Sequence, residues 1–477
     1  MLYNRGNMGI ESKLTVNSVF DLKGIPAFRQ FYDLGIAEWN RIYRGEAFWA
    51  KRKCPTIADG GCTRNGQRLG IARVAAREMA NLVWAEGVKI DISDESVAGF
   101  VEGVLDGNNF RESMRKLTER AFALGGAAIK MYVNDEGRIV LQYVPADRVI
   151  PISWDNGSVN EAVFIDKRAE NGLYYTRLEF HTRDNGVYTV SNRLFVSDNQ
   201  SILGEECPLT LLYDNLAYDT PIHNLDGALF AYFSPANANT LDANSPLGMS
   251  VFAGAEDTLK AIDEVYDSYW QEFRLGRRRI IIPATAARPV VQPDGTSRRM
   301  FNADDAVYEA MFMDGAEAQK IHDNTVGLRV QEHIDALNSL LDIFSMQCGL
   351  SVGSLSFSRA EGLRTATEVV SNNSKTFRTI KMHQESVRKA VRAIIGGIMN
   401  IAALYGLGGV SEYEVTFPDA VIEDTDAKMQ RGLKLVAQGV ISKRSFLVQY
   451  MGCTEENADA ELKLVDAEGA SLGGVFE

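Results

Sequence analysis

A chain of 477 residues with 45% hydrophobic and 24% charged side chains is long enough for two or more compact units, and its composition excludes wholesale disorder. The formal net charge of -13 argues against a protein that wraps nucleic acid for affinity, because phosphate neutralisation needs clustered Lys and Arg, but it does not exclude a surface that DNA slides past. Five cysteines, Cys54, Cys62, Cys207, Cys348 and Cys453, are scattered with no C-x-x-C pair, which fits a reducing cytoplasm. The opening LYNRGNMGIESK has no apolar core of signal-peptide type.

Residues 1 to about 125 read as mostly helical. PAFRQFYDLGIAEWNRIY, GQRLGIARVAAREMANLVWAEG and NNFRESMRKLTERAFALGG each repeat apolar residues three or four apart. From Ala127 to about Leu216 the period changes to two. IKMYV, IVLQYV, EAVFID, YYTRLEF and GVYTVSNRLFV are separated by NDEG, WDNG, AENG and RDNG, which are turn signals for antiparallel hairpins. Helices followed by hairpins indicate an α+β fold. Residues 234–246, SPANANTLDANSP, read as a polar linker.

Beyond it, Phe252, Ala255, Leu259, Ile262, Tyr266, Tyr269 and Phe273 form one heptad seam, and Val330, Ile334, Leu337, Leu341, Phe344 and Cys348 form a second. The Pro-interrupted stretch between them reads as a small β-rich tip on two antiparallel helices. Glu256, Asp257, Asp263, Glu264, Asp267 and Glu272 against Lys260 and Arg274 give the first helix a net charge of -4. On one helix that is an ordinary solvated face; repeated round a ring it would line a bore with negative charge. Arg277, Arg278 and Arg279 end that helix, and Arg298 and Arg299 lie in the tip. Such cations complement a helix dipole or meet an acidic partner or DNA phosphates.

Ser351 to Leu363, SVGSLSFSRAEGL, has two glycines, four serines and no helical period, so it is expected to be a mobile loop. Thr365 and Glu368 then stand in the relation of a capping box. Phe377, Ile380, Gln384, Val387, Val391, Ile394, Ile398 and Ile401 fall on one stripe of a helix running to about Tyr405, roughly 60 Å long. Three long seams exceed what one compact core accommodates, so a partner is expected to cover the surplus. Ala393 to Val410 lacks charge over 18 residues, but its Gly-rich end leaves too short a helix to span a membrane. The last segment, 411–477, holds 13 acidic and 6 basic side chains.

Motifs for chemistry are sparse. There is no phosphate-cradling G-x-x-x-x-G-K-[ST] loop and no H-E-x-x-H, and the five histidines have no metal-ligand spacing. Gly349-Leu350-Ser351-Val352-Gly353 matches a nucleophile elbow, with Glu361 and His383 following in hydrolase order. A heptad helix precedes it where a strand is required, so a Gly-rich loop is the better reading. No catalytic residue, metal or cofactor is expected.

Four segments carry a resemblance: ALGGAAIKMYV at 123–133, VPADRVIPISWDNG at 144–157, SPLGMSVFAGAEDTLKAID at 245–263 and SFSRAEGLRTATEVVSNNSKTFRTI at 356–380. In this order the chain resembles the portal proteins of tailed bacteriophages, particularly those of Gram-positive hosts. The resemblance implies a portal-like α+β fold: a wing at 1–246, stem helices at 247–276 and 326–348, a β-rich clip at 277–325, a tunnel loop at 349–364, a long wing helix at 365–410 and a short crown at 411–477. It further implies a closed ring, usually of twelve copies in that family, at one capsid vertex of the virion, assembled in the host cytoplasm. Double-stranded DNA would pass through it non-specifically. Its other partners would be the terminase large subunit, the head-to-tail adaptor, and the major capsid and scaffold proteins, with no membrane. The tunnel-loop residues Ser351, Ser354, Leu355, Ser356, Phe357, Ser358, Arg359 and Arg364 would touch the DNA backbone or pack against neighbouring loops, and the five clip arginines would meet docking partners. The competing readings are another adaptor or coat component of the same particle, or a soluble enzyme.

Overall fold

The structure is a computed structural model, and it describes residues 16–54, 62–276, 280–281, 288–291, 297–300, 322–323, 327–357, 366–418, 425–451, 453 and 457–465. It mixes helix and sheet, as the change of period from 3.6 to 2 leads one to expect. The N-terminal part holds α1 (Arg29–Phe31), which passes through a π turn into α2 (Ala37–Arg44), then a hairpin of β1 (Lys51–Cys54) and β2 (Cys62–Asn65). The hairpin register sets Cys54 opposite Cys62. Then come α3 (Ile71–Val83), β3 (Lys89–Ile92), α4 (Glu95–Gly107) and α5 (Phe110–Leu124). In α3 the buried face carries Ala75, Ala76 and Ala80, small enough to bring α5 close, and Trp84 at its end donates from Nε1 to Thr118 Oγ1 at 2.9 Å. Asp94 starts α4 by accepting from the Ser96 and Val97 N–H groups.

Two sheets follow. β4 (Ala127–Val133) lies between β5 (Ile139–Pro145) and β12 (Phe230–Phe233). A larger antiparallel sheet is built from β6 (Val149–Asp155), β7 (Ser158–Glu170), β8 (Leu173–Asp184), β9 (Val187–Ser197) and β10 (Glu205–Cys207), with β11 (Asp219–Ile222) also on β9. Its three tight turns are Asn156-Gly157, Asn171-Gly172 and Asn185-Gly186, every residue of which has positive φ. That is the geometry of the two-residue turn whose twist matches the flanking strands. Strand β4 is buried on both faces: Ala127, Ile129 and Met131 enter the main core, while Ala128 joins Val149, Ala162, Phe164 and Phe230 in a second, smaller core.

The C-terminal half is dominated by three helices: α6 (Glu256–Leu275), α7 (Val330–Gln347) and α8 (Ala366–Leu404). Helix α6 begins later than the heptad seam suggests, since Phe252 sits in the preceding turn and is fully buried there. Helices α6 and α7 pack together, and burial falls along the pair from Leu259, Ile262, Leu341 and Phe344 to the exposed Trp270 and Phe273. Between them lie β13 (Ile280–Ile281), paired with β16 (His322–Asp323), and the hairpin of β14 (Arg288–Val291) and β15 (Ser297–Met300). These match the short-stranded tip read from the sequence.

Helix α8, 39 residues and thus about 58 Å long, packs against α3, α4, β4, β12 and β17 (Tyr413–Thr416), the last of which pairs with β3. Val387, Val391, Ile394, Ile398 and Ile401 are all buried, as the stripe requires. Gln384, its polar interruption, donates to the Val83 carbonyl and so caps α3. Residues 234–246 are no free spacer: Ser386 Oγ donates to Ser234 O, and Ala236 N–H donates to His383 Nδ1, which pins the segment onto α8. The chain closes with α9 (Thr425–Ala437), α10 (Lys443–Met451) and a helical stretch at 457–465. Among the described residues no helix is long and apolar enough to cross a membrane.

Gly125 ends α5 at φ 86°, and a Cβ there would stand 2.3 Å from the Gly248 carbonyl oxygen. Two backbones meet at this point, so neither side can yield by a rotamer change. Gly125→Ala is expected to lower stability by about 2–4 kcal/mol in a denaturant titration, from left-handed strain plus overpacking.

Candidate functional site

The helical pair α6–α7 and the loop that leads into α8 are the candidate site, and the acids of α6 come first. Asp263 is buried, and accepts from Trp49 Nε1 at 2.9 Å and from the Leu69 N–H at 3.0 Å. Burial pushes its carboxyl above the usual range. Asp267, also buried, is gripped by the Arg64 guanidinium through both oxygens, by Arg52 Nη1 at 3.1 Å and by the Gln67 N–H. The bonds from Arg64, foremost, hold that carboxyl below its ordinary range. Glu256 accepts from Trp39 Nε1 at 3.2 Å, and Glu272 pairs with Arg329 across the top of the hairpin at 2.9 Å.

The six-residue acidic face expected on this helix is therefore corrected: Asp263 is an anchor for Trp49 and Leu69, and Asp267 for the β1–β2 hairpin. Only Asp257 and Glu264 of the six are exposed. Sequence reasoning missed the partners, Trp49, Arg52 and Arg64, because they lie about 200 residues away, and nothing in local spacing links them to α6. The spacing of Asp263 and Asp267 alone, four apart and hence on one helix face, was the available signal.

The loop after α7 is also more firmly held than expected over its described part. Ser351 is buried; its N–H donates to Thr376 Oγ1 at 2.8 Å, and Thr376 Oγ1 donates to Ser351 Oγ at 3.0 Å. Thr379 Oγ1, one turn on, donates to the Gly349 carbonyl at 2.7 Å. On the other side Asp342 accepts from the Gly353 N–H and Asn338 from the Phe357 N–H. Ser351 thus staples the loop to α8 and is withdrawn from the DNA-facing set in which it was expected.

The elbow reading also falls here, because the partner of the Ser351 hydroxyl is Thr376, while His383 Nδ1 is taken by Ala236. Leu355, half-buried, packs on this chain's own core, so it is not free to meet a neighbouring loop. Ser354 is exposed, Ser356 half-buried, and Phe357 stands 60% exposed. Ser358, Arg359, Arg364 and the capping residue Thr365 lie outside the described residues, as do Arg277, Arg278 and Arg279. Arg298 and Arg299 fall on β15, opposite Val290 and Pro289. Among the described residues no group of three or more His, Cys, Asp or Glu is placed to hold a metal.

Apolar side chains accumulate on this same region: Trp270 and Phe273 on α6, Ile343 and Met346 on α7, Val352 and Phe357 in the loop, and Met382 on α8 are all more than 40% exposed. Of these only Phe273 belongs to a heptad seam; the others stand off the seams, on faces that this chain's own core leaves uncovered. A family model described as phage portal protein, SPP1 Gp6-like, matches residues 36–471. The chain belongs to the phage portal protein family. It is also similar to a chain from a solved structure titled "Neck of native GTA particle computed with C12 symmetry", at 12% identity and a TM-score of 0.38, over 80% of this chain and 89% of that one. No curated protein matches the sequence. Membership of the portal family makes the protein a phage portal and a component of the virion.

Two outcomes test this portal's site geometry. Asp267→Ala removes the acceptor that two arginines share, and is expected to cost about 3 kcal/mol and to loosen residues 51–65 in hydrogen exchange. His383 is buried against Phe122, with its ring centroid 4.7 Å from that of the phenyl, and burial lowers its pKa to about 4. Its neutral form is the one the fold accepts, so stability is full above pH 6.5 and falls as the pH drops toward 4, by about 3 kcal/mol. His383→Met should flatten that segment of the stability profile.

Proposed function

We propose that this portal protein assembles into a closed ring of twelve copies at one capsid vertex, and that double-stranded DNA passes through the ring during packaging and ejection. The observation that carries the proposal is the run of exposed apolar side chains on α6, α7 and the loop, on a chain whose family forms such particles' portals. Burying them against neighbouring copies, head to tail, closes a ring and leaves no open end. In this reading 1–246 is the wing, 247–276 and 326–348 the stem, 277–325 the clip, 349–364 the tunnel loop, 365–410 the long wing helix and 411–477 the crown.

A conduit must hold DNA weakly everywhere, since each firm phosphate contact adds friction, and a chain of net charge -13 meets that need. The exposed end of the hairpin, with the clip and its arginines beyond, is the proposed docking point for the terminase large subunit and then for the head-to-tail adaptor. The wing and crown would face the major capsid and scaffold proteins. ATP hydrolysis would belong to the terminase, and the chain itself would catalyse no reaction.

Phe357 separates the roles of fold and conduit, because it is exposed and its side chain supports no part of the described core. Because Trp270, Phe273, Ile343 and Met346 still supply the interface between copies, Phe357→Asp is expected to leave assembly intact and to depress DNA packaging in a reconstituted assay with terminase and proheads. Undiminished packaging by that variant would remove the loop from the conduit.

A further inference from the structure

The wing contains a charged cleft that neither the hairpin nor the loop explains. It lies where β4, β5, β7 and β8 meet helices α2 and α5, with a volume of about 330 Å³. Four cations, Arg120, Lys130, Arg148 and Arg177, line it against three carboxylates, on a protein whose overall charge is strongly negative.

The floor is built from buried charge. Lys130 is 4% exposed and donates to Glu179 at 2.5 Å. An ammonium carries three N–H donors, and among the described residues Glu179 is its one hydrogen-bond acceptor, with the Phe164 ring centroid 5.4 Å away. Arg177 reaches the same Glu179 oxygen from Nη2 at 3.2 Å, while its Nε–H is buried and has no acceptor. The other Glu179 oxygen is bonded to His181, which burial keeps neutral. Nearby, Asp166 receives the Tyr213 hydroxyl at 3.5 Å. Among the described residues Glu179 and Asp166 are thus already engaged, while the Lys130 ammonium keeps N–H donors without an acceptor, which an anion's oxygen would satisfy. At the rim Arg120 and Arg148 are exposed and form no ion pair among the described residues.

We propose that this cleft is an oxyanion site that takes one phosphate group, with the Lys130 ammonium and the Arg177 guanidinium below and the forks of Arg120 and Arg148 closing over it. A phosphate offers three or more acceptor oxygens, enough for the floor donors and a bidentate arginine contact at once. The same chemistry arrives either as free inorganic phosphate or as the terminal phosphate of a nucleic-acid strand.

Isothermal titration of the full-length protein with inorganic phosphate, and separately with a 5′-phosphorylated dinucleotide and its unphosphorylated counterpart, distinguishes the two sources. Saturable binding of one phosphate per chain is expected, with a Kd below about 1 mM. Uptake of inorganic phosphate alone identifies a free-ion site, and preference for the phosphorylated dinucleotide identifies a strand-end site. The double variant Arg120→Gln, Arg148→Gln should weaken binding about tenfold or more while its thermal midpoint without phosphate stays at the wild-type value, since both side chains are exposed. Lys130→Met, buried at the floor, should abolish binding. No saturable binding of any of the three probes, or equal phosphate affinity in wild type and the rim variant, would overturn the proposal.

Discussion

Everything in this molecule is arranged around the burial of the second half of α8. From Val387 to Ile401 one face of that helix is closed off by β4, β12, α3 and α4, so that the N-terminal helices, the hairpin sheet and the C-terminal segment share a single core. Gly396 and Gly397 ease this approach: a Cβ at Gly397 would press on the Met131 thioether, and one at Gly396 on the Tyr413 hydroxyl, so either side chain would have to shift. Its polar members serve the same docking. Gln384 caps α3, Ser386 and His383 hold the 234–246 segment, and Thr376 and Thr379 hold the loop.

A second constraint links the helical pair to the N-terminal part of the chain. Asp263 and Asp267 take hydrogen bonds from Trp49, Leu69, Arg52, Arg64 and Gln67, so the hairpin β1–β2 and the segment between it and α3 are clamped on α6. Buried carboxylates survive there because every oxygen is met. The clamp ties α6 to the N-terminal part of the chain. Forces on the exposed end of the pair would therefore be felt there through charged bonds as well as through apolar packing.

Local pattern accounts for what could be read before the structure. Three Asn-Gly turns dictated the hairpins of β6 to β9 because few other dipeptides tolerate two successive positive φ values. The stripe from Val387 to Ile401 announced a buried helix by period alone. The heptad seams located α6 and α7, though Phe252 lies before its helix. What local pattern could not carry was long-range pairing. Nothing near Asp267 points to Arg64, nothing near Ser351 points to Thr376, and the composition of the loop suggested freedom where four side chains tie it down. The acids of α6 looked like a solvated face for the same reason: a charge pattern is identical whether the face meets water or an arginine from a distant hairpin. The pairing of β3 with β17 and the short helix α4 also left no mark strong enough to read.

The central claim is that the apolar remainder of α6, α7 and the loop is an interface between copies that closes a ring. Cryo-electron microscopy of the purified full-length chain at micromolar concentration tests it most directly. Class averages with a central opening and the side chains of Trp270, Ile343 and Met346 buried against a neighbouring copy are the outcome this account requires. A monomer across salt and pH, or a ring in which these side chains remain in solvent, would contradict it.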